Sequence, residues 1–168
     1  MSLFAPLQTG CLIGFVILLV LAAWQDLRTM RIADAVSLAI VAAFAVWALS
    51  GVARGTESFT MIGLALACAA AMFGLGAAAF AAGAMGGGDV KLLAASSLFA
   101  GPGLMPDFLV VTALVGGALC VAILAGAPIG PLAPATDATI RTRLRGGLPY
   151  GPAIAAGGLW VAASLALQ

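Results

Sequence analysis

Residues 58–88 read SFTMIGLALACAAAMFGLGAAAFAAGAMGGG and contain no charged side chain. A helix of about 20 mainly apolar residues crosses the hydrocarbon core of a bilayer, so this stretch is long enough to span one. Its many glycines and alanines are typical of helices that pack closely in lipid, where small side chains let backbones approach. The stretch therefore predicts a transmembrane helix, and it is followed directly by Asp89.

The composition of the whole chain extends this prediction to the other segments. Of the 168 residues, 64% are hydrophobic and 8% are charged, whereas soluble domains are roughly half apolar and about a quarter charged. A chain of this length has too small an interior to hide so much apolar surface from water. We therefore expect an all-α membrane protein in which residues 1–168 form a single integral-membrane domain. Residues 1–25 lack the basic leading region of a signal peptide and are predicted to be a retained first span.

Charged residues divide the chain into six apolar segments. The segments predict a polytopic bundle of about six transmembrane helices, over residues 7–25, 34–50, 59–81, 89–101, 108–126 and 148–167. The fourth segment is short, and Gly101-Pro102-Gly103 interrupts it early. It is either a span that begins at Asp89 or a partly buried segment.

The distribution of basic residues sets the expected orientation, because short cytoplasmic loops are enriched in Lys and Arg. The loops after the first, third and fifth predicted spans hold Arg28, Arg31, Lys91, Arg141, Arg143 and Arg145, whereas the other side holds only Arg54. We therefore expect these three loops on the cytoplasmic side of the cytoplasmic membrane and both termini on the other side. Asp26 and Asp89 then fall together at cytoplasmic span ends. The patch from Arg141 to Arg145 is expected to contact lipid headgroups.

Composition excludes several kinds of site. Histidine is absent, which removes Ser-His and Cys-His catalysis and most zinc sites. The three cysteines lie within apolar runs and lack CxxC spacing, so neither a disulfide framework nor a metal site is expected. The net charge of +1 is too small to indicate nucleic-acid binding. We predict no metal and no cofactor, and the oligomeric state stays open.

The acidic residues differ in their surroundings. Carboxylates close to an apolar layer are costly and point to function by default. Asp26 follows the uncharged run that ends in Trp24-Gln25, and Asp89 follows residues 58–88. The other four are expected to be solvated or paired outside the spans: Asp34 near Arg28 and Arg31, Glu57 and Asp107 in loops of the far side, and Asp137 in the Pro-rich loop 127–137.

Two carboxylates that share one site suit hydrolysis. They cannot both ionise cheaply, so one keeps a proton as general acid while the other serves as general base. Gly86–Gly88 would let the chain bend and leave room for an extended peptide; alternatively they form an ordinary loop, with Asp89 capping the next helix. A small ion- or proton-coupled transporter or channel component that uses Asp26 and Asp89 beside a broken helix also fits. So does a structural subunit without catalysis.

Three motifs resemble one family. Residues 86–93, GGGDVKLL, resemble the GxGD-x-K-L signature of the type IV prepilin peptidases. Residues 26–34, DLRTMRIAD, resemble their D-x-R-x-x-x-I-P-N motif, and residues 148–154, LPYGPAI, resemble their P-Y-G-x-A-I stretch. The three motifs occur in the order of the family and span nearly the whole chain.

The resemblance implies a membrane-embedded aspartic endopeptidase that removes the leader peptide of type IV prepilins or pseudopilins at the cytoplasmic membrane face. Asp26 and Asp89 would be the catalytic pair. The substrate-binding surface and active-site loop would include the other motif residues, namely Gly86, Gly87, Gly88, Lys91, Arg28, Pro149, Tyr150 and Gly151. The partners would be a prepilin substrate helix and the lipid bilayer.

Two departures from the family pattern are visible. Ala33-Asp34 stands where the family has Pro-Asn, which removes a proline and adds a negative charge beside the site. The long members carry an N-terminal methyltransferase region with paired CxxC motifs, and nothing in this sequence resembles it. The chain looks like the short form of the tight-adherence (Flp) pilus systems, which performs proteolysis alone.

Overall fold

The computed structural model describes residues 4–127 and 149–167. These residues form five helices, α1 (Phe4–Thr29), α2 (Asp34–Arg54), α3 (Phe59–Ala81), α4 (Gly87–Leu124) and α5 (Gly151–Ala166). Within the described ranges there is no strand, and α1 to α4 are long and apolar enough to cross a membrane. The prediction of an all-α, multi-pass membrane protein is therefore confirmed. Asp137 and the patch from Arg141 to Arg145 lie outside the described residues.

The outer surface of the bundle is apolar, as expected when lipid is the solvent. Leu38 on α2 and Leu114 on α4 are 67% and 69% exposed, and monomeric soluble proteins rarely expose large contiguous apolar patches. Inside the bundle, the rings of Phe15 and Phe99 stack at a centroid distance of 4.2 Å. Phe44 meets Phe99 edge-on at 5.4 Å, so this aromatic group joins α1, α2 and α4 in one core.

Five helices are found where the sequence predicted about six, because the predicted fourth and fifth spans both belong to α4. Gly101 interrupts α4 with non-helical angles (φ 51°, ψ −168°). Pro102 does not lengthen the break, since proline lacks an N–H yet fits the first turn of a helix. Residues 102–107 are helical as a result, so Asp107 lies in a helix and not in a loop.

The chain reverses its direction at Gly101. Because α1, α2 and α3 are joined by short loops, α1 and α3 run in parallel, and α5 runs antiparallel to α1. The first part of α4 is antiparallel to α3, and the part beyond Gly101 is antiparallel to α5. The neighbours that show these directions are Asp26 with Gly151, Leu19 with Gly158, Val90 with Gly76, Ala65 with Gly101, Ala153 with Gly116, and Phe108 with Gly157.

The reversal gives the bundle two distinct ends. The loops 30–33 and 82–86 and the starts of α4 and α5 lie at one end, which we call the aspartate face because it holds Asp26 and Asp89. The loop 55–58 and Gly101 lie at the other end, which we call the opposite face. Both acidic candidates are thus in the same layer of the molecule, as the loop pattern of the sequence requires.

Candidate active site

Asp26 is held by the first residue of α5. It lies in the last turn of α1 and is 3% exposed, and its Oδ2 accepts a hydrogen bond from the Gly151 N–H, with an N···O distance of 2.8 Å. The unpaired N–H groups and the dipole at a helix N-terminus favour a negative charge there. A Cβ at position 151 would lie 2.7 Å from the Cβ of Asp26, so only glycine permits this approach.

The residues before Gly151 fix the start of α5. Pro149 is fully buried, and Tyr150 is the N-cap of α5 and packs against the apolar core. A proline restricts its own backbone, and a buried one holds the chain firmly in place. The stretch Pro149-Tyr150-Gly151 therefore positions the N–H of Gly151 next to the carboxylate of Asp26, which is 125 residues away in the sequence.

Asp89 is the third residue of α4 and is 7% exposed. Its Oδ2 accepts a hydrogen bond from the Gly86 N–H at 3.3 Å, which satisfies one of the unpaired donors of the first turn. Its Oδ1 is buried and accepts no hydrogen bond from the described residues, so its capacity as an acceptor is unused within them. Asp89 lies at the same end of the bundle as Asp26, near enough for the two carboxylates to interact electrostatically.

Two of the three glycines before Asp89 allow neighbouring groups to pack closely against the backbone. A Cβ at Gly86 would lie 2.8 Å from the Oδ2 of Asp89, and one at Gly88 would lie 3.2 Å from the backbone oxygen of Ile32. The protein itself thus fills the space at both positions. At Gly87 a Cβ would meet only the ring of Phe80, at an ordinary 3.6 Å. The expected room for an extended peptide is therefore limited to Gly87 in this structure.

The loop between α1 and α2 explains one departure from the family pattern. Ala33 has φ −67°, close to the angle at which the proline ring is fixed. Its N–H donates to Oε1 of Gln25 at 3.1 Å, a bond that a proline could not make. The side chain of Gln25 thus compensates for the missing proline, which the sequence did not reveal because the two residues are paired only through the turn.

The second departure, Asp34, makes an ion pair with Lys91. The Nζ of Lys91 lies 2.7 Å from Oδ1 of Asp34, and the two side chains are 47% and 65% exposed. The expected pairing of Asp34 with Arg28 or Arg31 is not found. The pair joins the start of α2 to the start of α4 at the surface of the aspartate face.

Replacing Lys91 by Gln is expected to leave the thermal midpoint of the purified protein nearly unchanged. Exposed ion pairs contribute about 0–1 kcal/mol, because water and ions screen both charges. The measurement is the thermal midpoint of Lys91→Gln in detergent, and Asp34→Asn is the matched change of the partner residue. A large fall in the midpoint for either variant would mean that the pair has a structural role that its exposure does not indicate.

The structure brings together only part of the predicted site. Hydrogen bonds link Asp26 to Gly151 and Asp89 to Gly86, and both pairs lie at the aspartate face. The guanidinium of Arg28 instead lies over the ring of Trp24, 4.2 Å from its centroid, and Lys91 is engaged by Asp34. In the part of the chain that the structure describes, no group of three or more His, Cys, Asp or Glu could hold a metal ion.

Comparison with known proteins adds one match. The sequence profile of the type IV leader peptidase family matches residues 13–121, which is well over half of the chain and includes both buried aspartates. No curated protein and no solved structure gives a significant match.

Proposed function

Since the chain belongs to the type IV leader peptidase family, it is a protease, and we propose that it is an aspartic endopeptidase that removes the leader of type IV prepilins or pseudopilins. Asp26 and Asp89 are the catalytic pair in this proposal. The observation that carries it is that two buried carboxylates, distant in sequence, lie at the same end of an apolar bundle, near enough to interact electrostatically. Family membership favours this function over a transporter or a structural subunit.

The proposed chemistry needs only the two carboxylates and a water molecule. Water held between Oδ1 of Asp89 and the carboxylate of Asp26 loses a proton to one of them and attacks the carbonyl carbon of the scissile bond. The other carboxylate donates its proton to the carbonyl oxygen. When the C–N bond breaks, the leaving amine takes a proton from the pair. The two groups titrate as a unit, so the roles belong to the pair.

Topology supports cleavage on the cytoplasmic side. Arg28, Arg31 and Lys91 lie at the aspartate face, and Arg54 lies at the opposite face, a bias that is typical of cytoplasmic loops. The first residues of α1 and the last residues of α5 lie at the opposite face. The proposal therefore has the catalytic pair at the cytoplasmic surface of the inner membrane and both termini on the far side.

A groove next to the site suits the apolar helix of the substrate. Helices α2 and α3 both pack on α4 but hardly on each other, and the gap between them, the α2–α3 groove, has a volume of about 550 Å³. Small residues let helices approach closely in lipid, and the groove is lined by four of them, Ala69, Ala70, Ala94 and Ala95. Its mouth is at the Lys91–Asp34 pair.

The substrate has to cross the first turn of α4 to reach the catalytic pair. Asp89 lies two residues from Lys91, or about 200° of helical rotation, and so faces the other side of α4. An extended segment of about three residues, at about 3.3 Å each, covers the width of a helix. Gly87 carries no side chain and leaves the path over this turn open. The substrate helix must therefore unwind at its start, which also frees the scissile carbonyl from its helical hydrogen bond.

Replacing Ala70 by Trp is expected to raise KM for a full-length prepilin roughly tenfold or more, because the indole occupies space that the substrate helix needs. The rate at saturation should change little, since Ala70 is remote from the carboxylates. Ala71→Trp is the matched control, because Ala71 is the next residue on α3, is exposed and does not line the groove. Equal effects of the two variants on KM would place the substrate helix elsewhere.

The function itself is tested by incubating the purified protein in detergent with a prepilin and measuring the mass of the product. We expect one cut directly before the apolar helix and a product without an added methyl group. The proposal would be contradicted if the precursor stayed intact while a cooperative thermal transition showed that the purified protein was folded.

A further inference from the structure

Two apolar grooves meet at the opposite face. The α1–α5 groove, about 800 Å³, runs down the bundle between α1 and α5, and the α3–α4 groove, about 450 Å³, lies beside Gly101. The residues that line both grooves are Trp47, Thr56 and Glu57, together with Leu165. The two apolar grooves therefore share one rim, which is formed by the loop between α2 and α3 together with Trp47 of α2 and Leu165 of α5.

The shared rim carries one negative group, Glu57, and the positive group of Arg54 lines the α1–α5 groove beside it. The guanidinium of Arg54 donates to Oε1 of Gln8, and Gln8 in turn donates to the backbone oxygen of Trp47 at 3.4 Å. Glu57 is half-buried against Gly51, where an added Cβ would lie 2.5 Å from its Cγ. Within the described ranges neither charge enters an ion pair. Burial raises the pKa of the Glu57 carboxyl, so this group gains from a cationic partner.

We propose that this rim and its two grooves bind one diacyl phospholipid with an ethanolamine headgroup. Arg54 contacts the phosphate, Glu57 accepts hydrogen bonds from the primary ammonium, and each groove holds one acyl chain. The length of the α1–α5 groove fits this occupant, because it extends from Gln8 to Ile17, about 13 Å along a helix. The rim lies at the end of the bundle, where headgroups meet water.

The charges of the rim distinguish between headgroups. A primary ammonium offers three N–H donors to the carboxylate of Glu57 and forms a charge-assisted hydrogen bond with it. Choline has the same charge but no N–H, so it offers Glu57 only a weaker, distant attraction. Phosphatidylglycerol brings a phosphate for Arg54 but no cation for Glu57. The site is therefore expected to prefer ethanolamine to choline and choline to glycerol.

The preference is tested with purified protein in detergent to which dioleoyl phosphatidylethanolamine, phosphatidylcholine or phosphatidylglycerol is added. Native mass spectrometry gives the Kd of each lipid. We expect phosphatidylethanolamine to bind about tenfold more tightly than phosphatidylcholine, the effect of one hydrogen bond to a charged group. Equal Kd values for the three lipids would show an unspecific lipid annulus and overturn the proposal.

Two variants locate the effect at the rim. Glu57→Gln is expected to remove the preference for ethanolamine, whereas Asp107→Asn, the same kind of change at an exposed carboxylate near the same end of the bundle, keeps it. Arg54→Gln should weaken the binding of phosphatidylethanolamine and of phosphatidylcholine by the same factor, so the ratio of their Kd values stays unchanged. A preference that survives Glu57→Gln, or that Asp107→Asn removes, would contradict the assignment.

The two-groove arrangement has its own test. Lysophosphatidylethanolamine has the same headgroup and one acyl chain, so it fills only one groove and is expected to bind at least about tenfold more weakly. An equal Kd would mean that only one groove is used. The same measurements on the Asp89→Asn variant should give unchanged values, because the rim is remote from the aspartate face.

Discussion

Replacing either Asp26 or Asp89 by Asn is expected to lower the cleavage of a cognate prepilin roughly a thousandfold or more, since a positioned general acid or base contributes about 10²–10⁴ in rate. Either variant leaves one carboxylate, which cannot act as general base towards the water and as general acid towards the carbonyl oxygen in the same step. The measurement is the mass of the product after incubation in detergent, at several times and enzyme concentrations.

Both variants should still fold and accumulate in the membrane. Asn has nearly the shape of Asp, and its side-chain oxygen can still accept the hydrogen bond from Gly151 or from Gly86. Asp107→Asn is the matched control, because the residue is exposed and lies towards the opposite face. If either aspartate variant processed the prepilin at a near-normal rate, the two-carboxylate mechanism would be wrong.

The second large effect is expected at Gly151. The Cβ of an alanine there would lie 2.7 Å from the Cβ and 2.9 Å from the Oδ2 of Asp26, so α5 or the carboxylate has to move. Misplacement of a reacting group by about 1 Å costs roughly a hundredfold in rate. We therefore expect Gly151→Ala to lower kcat/KM for a prepilin by about that factor.

Gly117→Ala is the control for this change. Gly117 is also helical, and an added Cβ there meets nothing within 4 Å, so the alanine should leave cleavage intact and favour the helix slightly. If Gly151→Ala cleaved as fast as Gly117→Ala, the position of Asp26 against α5 would not matter for catalysis.

The placement of both aspartates at the same end of the bundle could be predicted from the sequence, because each follows a long uncharged run. Length and charge are sufficient to place a residue at a span end, and the loop pattern then assigns the end to one face. A reversal between the fourth and fifth predicted spans was also expected, but the way in which it is made could not be predicted in the same way. Gly101-Pro102-Gly103 indicated a loop, whereas one glycine with φ 51° makes the turn and Pro102 begins the next helical stretch.

Other parts of the site depend on contacts between residues far apart in the chain. The ion pair of Lys91 with Asp34 and the hydrogen bond from Gly151 to Asp26 arise only when α2, α4 and α5 pack together. Glu57 was expected to be solvated in its loop, but it is half-buried against Gly51. No local pattern indicates this burial, because the loop folds back over the last turn of α2.

The way in which the acids are anchored bears on how the sequence can diverge. Asp26 and Asp89 are held by main-chain amides, those of Gly151 and Gly86, which every residue type except proline supplies. The side chains around the site can therefore be replaced without loss of these two hydrogen bonds, provided that Gly151 and Gly86 are kept. Ala33 is an example, because its N–H bonds to the side chain of Gln25 at a position where the motif that it resembles has a proline.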